Sequence, residues 1–246
     1  MAEAYRLSTE ALALARKAGR PDLIAGELNM VAWLKCCLGD YAGADACWQE
    51  SMKLSARLGL RHEEAWALDC MGFAAWCRGE MTAAANYIEE ALAICTELGR
   101  QMSVGMCLAD LALVLASMGQ VERAVVVAQQ AVAITREIES QMMLTLSLNY
   151  LGAALLAAGE LEEARHTLLE AVQHAWDHQY LYNLMTAFYY FAELLVAESQ
   201  HAEPHGVLAA KSLAIELLSC VRTQTHTWQV FKDKAAELQR IDVRVE

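Results

Sequence analysis

The sequence predicts an all-α fold, a solenoid of about 12 helices stacked in antiparallel pairs. Three observations support this prediction. Glycines stand 40 residues apart, at Gly39, Gly79, Gly119 and Gly159, and each lies between two apolar helical stretches. Small and apolar residues recur in columns with the same spacing. Only two prolines occur in 246 residues, so little interrupts helix formation.

Each repeat is interpreted as two helices that flank a turn glycine. Five residues after each glycine an alanine recurs, and a second small column lies seven residues further on; the members are Ala44, Ala84, Ala124 and Ala164, then Ser51, Ala91, Ala131 and Ala171. Small side chains on one face let two helices approach closely. In the helix before each glycine, Leu28, Leu68, Leu108, Leu148 and Phe188 form an apolar column. A second apolar column three residues later shares that face, so both columns are expected in the core.

The same phase defines a single solenoid over residues 1–246. It contains a half repeat at 2–19, full repeats at 20–59, 60–99, 100–139 and 140–179, a divergent repeat at 180–221 and a C-terminal capping helix at 226–241. Residues 2–19 correspond to a second helix without its first helix, which leaves an apolar face uncovered. Two explanations stay open: the chain is a piece of a longer protein, or this helix associates with another copy.

Charge and composition exclude several functions. The net charge of −12 disfavours nucleic acid, because phosphate binding depends on Lys and Arg. Anionic membrane surfaces are disfavoured for the same reason. No signal peptide is evident, and no uncharged run approaches the ~18–20 residues of a membrane span, so a cytoplasmic location is expected. The eight cysteines lack disulfide spacing and are interpreted as reduced thiols.

Residue patterns for catalysis are also missing. The adjacent acids Glu162 and Glu163 fall on a solvent face, not across a cleft, so they do not indicate an acid–base pair. The glycine-rich motifs that bind nucleotide phosphates do not occur. We therefore expect no enzyme activity, no metal site and no cofactor.

The repeats resemble the tetratricopeptide repeat (TPR). The resemblance rests on the turn of glycine followed by an acid, on the two small columns, and on a small residue inside each first helix, namely Ala32, Gly72, Ala112, Gly152 and Ala192. The 40-residue period exceeds the usual ~34, and the proline that often closes the second helix is absent. With its longer helices, the pattern is similar to the C-terminal sensor regions of bacterial STAND-type signal-transduction ATPases, including LuxR-type and maltose-activator-like regulators.

The resemblance implies a right-handed superhelix whose first helices line a concave face. The candidate binding residues on the inward columns are Asn29, Trp33, Trp66, Asp69, Phe73, Trp76, Asn149 and Tyr189. Aromatic side chains are typical anchors of binding sites, and the amides and the carboxyl group add directional hydrogen bonds. The other interpretation is that tight curvature makes these side chains ordinary core.

The function expected from this resemblance is binding of a protein, a peptide or a small effector on the concave face. The module would be the sensor or interaction fragment of a larger bacterial signalling ATPase or transcriptional regulator. Its ligand would have to favour one state of that switch over the other. The alternative is a scaffold or self-assembling adaptor, associating through the exposed N-terminal helix without a small ligand.

Overall fold

A computed structural model describes residues 1–200, 204–225 and 227–241. Within these residues the chain forms twelve α-helices and no strand, which confirms the all-α prediction. The helices are α1 (Ala2–Lys17), α2 (Pro21–Cys37), α3 (Tyr41–Leu58), α4 (Arg61–Cys77), α5 (Met81–Glu97), α6 (Gln101–Ser117), α7 (Val121–Glu137), α8 (Gln141–Ala158), α9 (Leu161–Asp177), α10 (Leu181–Ser199), α11 (Pro204–Thr223) and α12 (Gln229–Ile241).

Two layers of helices form the solenoid. Each even-numbered helix from α2 to α8 packs against the odd-numbered helix that follows it. The helices α2, α4, α6, α8 and α10 also contact one another in succession, so they form an inner layer. The surface that these five helices share is called the inner face below. The other helices of the pairs lie outside it.

The turns between helices depend on backbone with positive φ. The four glycines of the 40-residue ladder have φ between 74° and 85°, which suits a residue without Cβ. Glu139 and Gln179 adopt φ of 54° and 58° in the turns after α7 and α9. A residue with Cβ pays about 1–2 kcal/mol for this conformation. The spacing of glycines therefore marks most turns, but not these two.

The small columns lie where paired helices meet. The four alanines that follow the turn glycines have no exposed surface. Gly72 on α4 is packed so closely against α5 that a Cβ added there would lie 2.4 Å from Cγ1 of Ile88. A Cβ on Gly152 would lie 2.4 Å from Cδ2 of Leu168. These contacts explain why the first helices carry small residues at this position.

Burial also explains the apolar composition of α8. Among the described residues α8 alone is long and apolar enough to cross a membrane by length and composition, with a mean hydropathy of 1.3. In the solenoid, 67% of its residues are buried. Its composition is that of a core helix held between α6, α7, α9 and α10.

The C-terminal part departs from the regular pairs. The helix α11 packs on α10, and α12 begins at Gln229 and contacts both α11 and α10. Position 226, where the sequence places the start of the capping helix, lies outside the described residues, as do residues 201–203 of the divergent repeat. Phe231 on α12 is completely buried, which indicates that this helix packs with more than its own neighbours in sequence.

Candidate functional site

The inner layer carries all eight predicted site residues. Six of them are buried, namely Asn29, Asp69, Phe73, Trp76, Asn149 and Tyr189. Trp33 and Trp66 are partly exposed. The sequence therefore places these residues on inner helices, where they differ in what they contact.

Three of the predicted aromatic residues form a continuous strip across α2 and α4. The ring centroids of Trp33 and Phe73 are 5.3 Å apart, and those of Phe73 and Trp76 are 5.4 Å apart. The indole N–H of Trp76 donates a hydrogen bond of 2.8 Å to the hydroxyl of Ser117 on α6. This bond fixes the ring and satisfies the only polar atom that the side chain has.

The segment that leads into α12 covers this strip. The ring of Trp228 lies 5.4 Å from Trp33 and 5.3 Å from Phe73, in edge contacts. On its other side it stacks on Tyr182 of α10 at 5.7 Å. Trp228 is only 7% exposed, so its side chain joins the first inner helix to the last.

The helix α12 continues along the inner face and contacts it through two further side chains, Phe231 and Lys234. Phe231 packs against Trp76 at 6.3 Å and against Tyr189 at 5.4 Å. The ammonium of Lys234 lies 4.9 Å from the centroid of the Trp76 ring, a cation–π contact. The sequence pattern indicated only a capping role for α12. The spacing of Trp228, Phe231 and Lys234, three residues apart, indicates that these side chains point to one side, but it does not indicate which surface they contact.

The predicted amides serve the fold. Asn29 donates a hydrogen bond of 2.9 Å from Nδ2 to the carbonyl oxygen of Glu63, at the start of the next inner helix. Asn149 makes the equivalent bond of 3.0 Å to the carbonyl oxygen of Asn183. Both amides therefore join neighbouring inner helices. Tyr189 donates from its hydroxyl to the carboxylate of Glu193 on its own helix.

A cavity of about 550 Å³ lies on the inner face beside Trp228. Its wall is mostly apolar and includes Trp33, Trp66, Trp228, Tyr150, Tyr182, Met30, Met106, Met142 and Met143. A second cavity, of about 390 Å³, adjoins it and shares Trp66, Asp69 and several of the methionines. These volumes fall in the range of small-molecule sites, which are also mostly apolar.

Two buried acids interrupt the apolar wall of the larger cavity. Asp69 on α4 is 1% exposed and Asp110 on α6 is 7% exposed. Burial raises the pKa of Asp69 to about 7, although a hydrogen bond from the Cys107 thiol lowers it. Burial also raises the pKa of Asp110 well above its usual range, and the charge of Asp69 adds to this effect. The inward columns predicted Asp69, whereas Asp110 lies one position beyond them.

The arrangement suits binding through apolar contacts. Among the described residues no group of three or more His, Cys, Asp and Glu side chains is placed to hold a metal ion. All eight cysteines are free thiols. The inner face consists of aromatic and thioether side chains with two acids among them. A helix of the same chain, α12, already lies on it.

Fold and inner face together define an α-solenoid with an apolar inner surface. Residues 63–137 match the family model described as Tetratricopeptide repeat. This match, with the similar solved structures below, supports a TPR array. No curated protein matches the sequence.

Several solved structures have a similar fold over most of the chain. BtubC (BKLC) from P. vanneervenii has a TM-score of 0.63 and 16% identity, over 90% of this chain and 92% of that one. A Rap protein complexed with Competence and Sporulation Factor has a TM-score of 0.68 and 14% identity, over 89% of this chain. Aspartyl phosphate phosphatase F from Bacillus subtilis has a TM-score of 0.63 and 14% identity, over 94%. The chain spans only 64% of the Rap protein and 59% of the phosphatase. At these identities the similarity shows the fold.

Proposed function

We propose that this chain is a TPR-type protein-interaction module that binds an amphipathic helix of a partner on its inner face. The observation that carries the proposal is the position of α12 on the inner face. Trp228, directly before α12, and Phe231 within it lie on Trp33, Phe73 and Trp76, so a helical segment with aromatic residues three positions apart already fits this surface. Helices commonly bind grooves through such anchors at i and i+3.

Two further facts support a protein partner. The Rap protein, which has the same fold, is described as complexed with Competence and Sporulation Factor. The inner face also presents partly exposed Trp33 and Trp66, and tryptophan is enriched among the residues that dominate binding energy. The partner segment expected here carries two aromatic residues three positions apart and a basic residue three positions later, as residues 228–234 do.

The test is binding in trans of a synthetic peptide with the sequence of residues 227–241. In the wild-type chain the tethered α12 competes with the peptide at high effective concentration. We therefore expect the peptide to bind the wild-type chain at least about tenfold more weakly than it binds the Trp228→Ala/Phe231→Ala variant. A peptide with both aromatic residues replaced by alanine should bind neither protein. Fluorescence anisotropy of labelled peptide measures all four affinities.

The matched control is Leu213→Ala on α11, which removes an exposed apolar side chain. It should bind the peptide as weakly as the wild type does. Circular dichroism checks that the double variant keeps its helices. A folded double variant with no affinity for the peptide would contradict the proposal.

The finer proposal is that the module is the sensor of a larger bacterial signalling ATPase or transcriptional regulator. Its support is the similarity of the 40-residue repeats to the sensor regions of STAND-type proteins. A phosphate-binding loop of the GxxxxGK[ST] type, encoded upstream in the same reading frame, is the expected finding. A stop codon directly upstream would rule the proposal out.

The alternative function, a self-assembling scaffold, is favoured by the outer surface of α1. Leu7 and Leu14 are 50% and 66% exposed and lie seven residues apart, on one face of the helix. If this face joins two copies, the mass in solution should rise with concentration. The Leu7→Ser/Leu14→Ser variant should then stay monomeric. The control variant Leu98→Ser, at another exposed leucine, should associate as the wild type does.

A further inference from the structure

The two acids of the larger cavity have no basic partner. Neither Asp69 nor Asp110 forms an ion pair among the described residues. No lysine or arginine lines either cavity. Oδ1 of Asp69 is buried and has no hydrogen-bond partner. A buried carboxylate without an opposite charge is costly, so a positively charged ligand would stabilise this pair of acids.

The rest of the wall suits the body of an organic molecule. Trp66 lines both cavities and lies three residues before Asp69, so the ring and the carboxyl group lie on one side of α4. Trp33 adds a second indole from α2, and Met106 and Met142 add polarizable thioethers from α6 and α8. Indole faces attract cations, and methionines adapt to irregular apolar shapes.

We propose that this cavity is a binding site for a small apolar organic cation, an amine whose ammonium group pairs with Asp69 and Asp110 while its hydrocarbon or aromatic body fills the wall around Trp66. This ligand class goes beyond the proposed protein partner and requires none. An anion of the same size would face two acids and no lysine or arginine side chain. A neutral molecule would leave both acids without an ion-pair partner.

The test compares three probes of equal length: 4-phenylbutylamine, 4-phenylbutanol and 4-phenylbutyrate. Isothermal titration calorimetry of the full chain at pH 8 should show the amine binding at least about tenfold more tightly than the alcohol, and the butyrate most weakly. Equal affinities for the amine and the alcohol would overturn the proposal.

Two variants and a control assign the effect to the cavity. Asp69→Asn keeps the shape of the side chain and removes its charge, so the amine should lose at least about tenfold in affinity while the alcohol changes little. Asp110→Asn should act in the same direction. Glu122→Gln, on the exposed surface of α7, should change neither. Full amine affinity in both aspartate variants would refute the site. The peptide experiment on α12 stands or fails separately, because it uses no amine.

Discussion

At the scale of single residues, Asp69 stands out because it is the one acid in a column that otherwise carries two amides, an alanine and a tyrosine. Asn29 and Asn149, 40 and 80 residues away, each donate from Nδ2 to a backbone carbonyl of the next inner helix. A carboxylate has no proton to donate there. Burial favours the neutral acid, which is why the pKa of Asp69 rises to about 7.

This pKa predicts how the stability of the chain depends on pH. Because the folded state holds a proton that the unfolded chain releases near pH 4, the contribution of Asp69 is full below that pH and is lost as the pH rises through about 7. Asp69→Asn removes this loss. We expect the variant to exceed the wild type in free energy of unfolding by a few kcal/mol at pH 8, and by clearly less at pH 5.

Urea unfolding at both pH values measures this difference. Without the charge of Asp69, the pKa of Asp110 is raised less in the variant, which adds to the stability gap at pH 8. Glu122→Gln, at an exposed acid, should show a small difference that does not grow between the two pH values. A stability gap for Asp69→Asn that is the same at pH 5 and pH 8 would show that Asp69 is already ionised at pH 5.

The residue scale also shows the limit of the sequence for the candidate site. The 40-residue spacing makes Asn29, Asp69 and Asn149 equivalent positions, and all three lie on inner helices. It does not distinguish an amide that faces a ligand from one that bonds a backbone carbonyl of the next helix. That distinction depends on the distance between successive inner helices, which is set by the packing of whole side chains.

At the scale of helices, the small column of the first helices controls how closely the two layers approach. A Cβ at Gly72 would meet Cγ1 of Ile88 at 2.4 Å and the carbonyl oxygen of Ala84 at 3.0 Å. A Cβ at Gly26 on α2 would meet only the carboxyl group of Glu63, at 3.5 Å, an ordinary contact. Both glycines lie inside helices, so alanine should favour the helix equally at both.

These two positions give a matched prediction. Gly72→Ala should lower the free energy of unfolding by about 1–3 kcal/mol, because α5 must move away from α4. Gly26→Ala should be neutral or raise it by roughly 0.5–1 kcal/mol. Urea unfolding of both variants measures the difference. Two variants with equal stability would mean that α4 and α5 can separate at little cost.

The helices themselves were predictable because each rule involved is local. Turn glycines, small columns and apolar columns repeat with one period, and the observed bounds of α2 to α9 follow that period. The position of α12 on the inner face was not predictable in this way. It depends on how far the array curves before its end, which is a sum of small rotations between repeats that no local pattern records.

At the scale of the whole molecule, α12 changes what kind of solenoid this is. In a linear array each repeat contacts only its neighbours, and stability is close to a sum of neighbouring terms. Here Trp228 contacts Trp33 near the start of the array and Tyr182 near its end. The first and last inner helices are therefore coupled through one side chain.

This coupling predicts where the molecule opens when the contact is removed. Deletion of two buried aromatic side chains costs about 3–5 kcal/mol each, and Trp228→Ala/Phe231→Ala removes partners of α2, α4 and α10 together. Native-state hydrogen exchange should then show faster exchange in those three helices, while α6 and α7 keep their protection. Leu218→Ala, at a fully buried position of α11, is the control and should act mainly on α10 and α11. If the double variant loses protection only in α11 and α12, the two ends of the array are stable independently, and α12 is a passive cover.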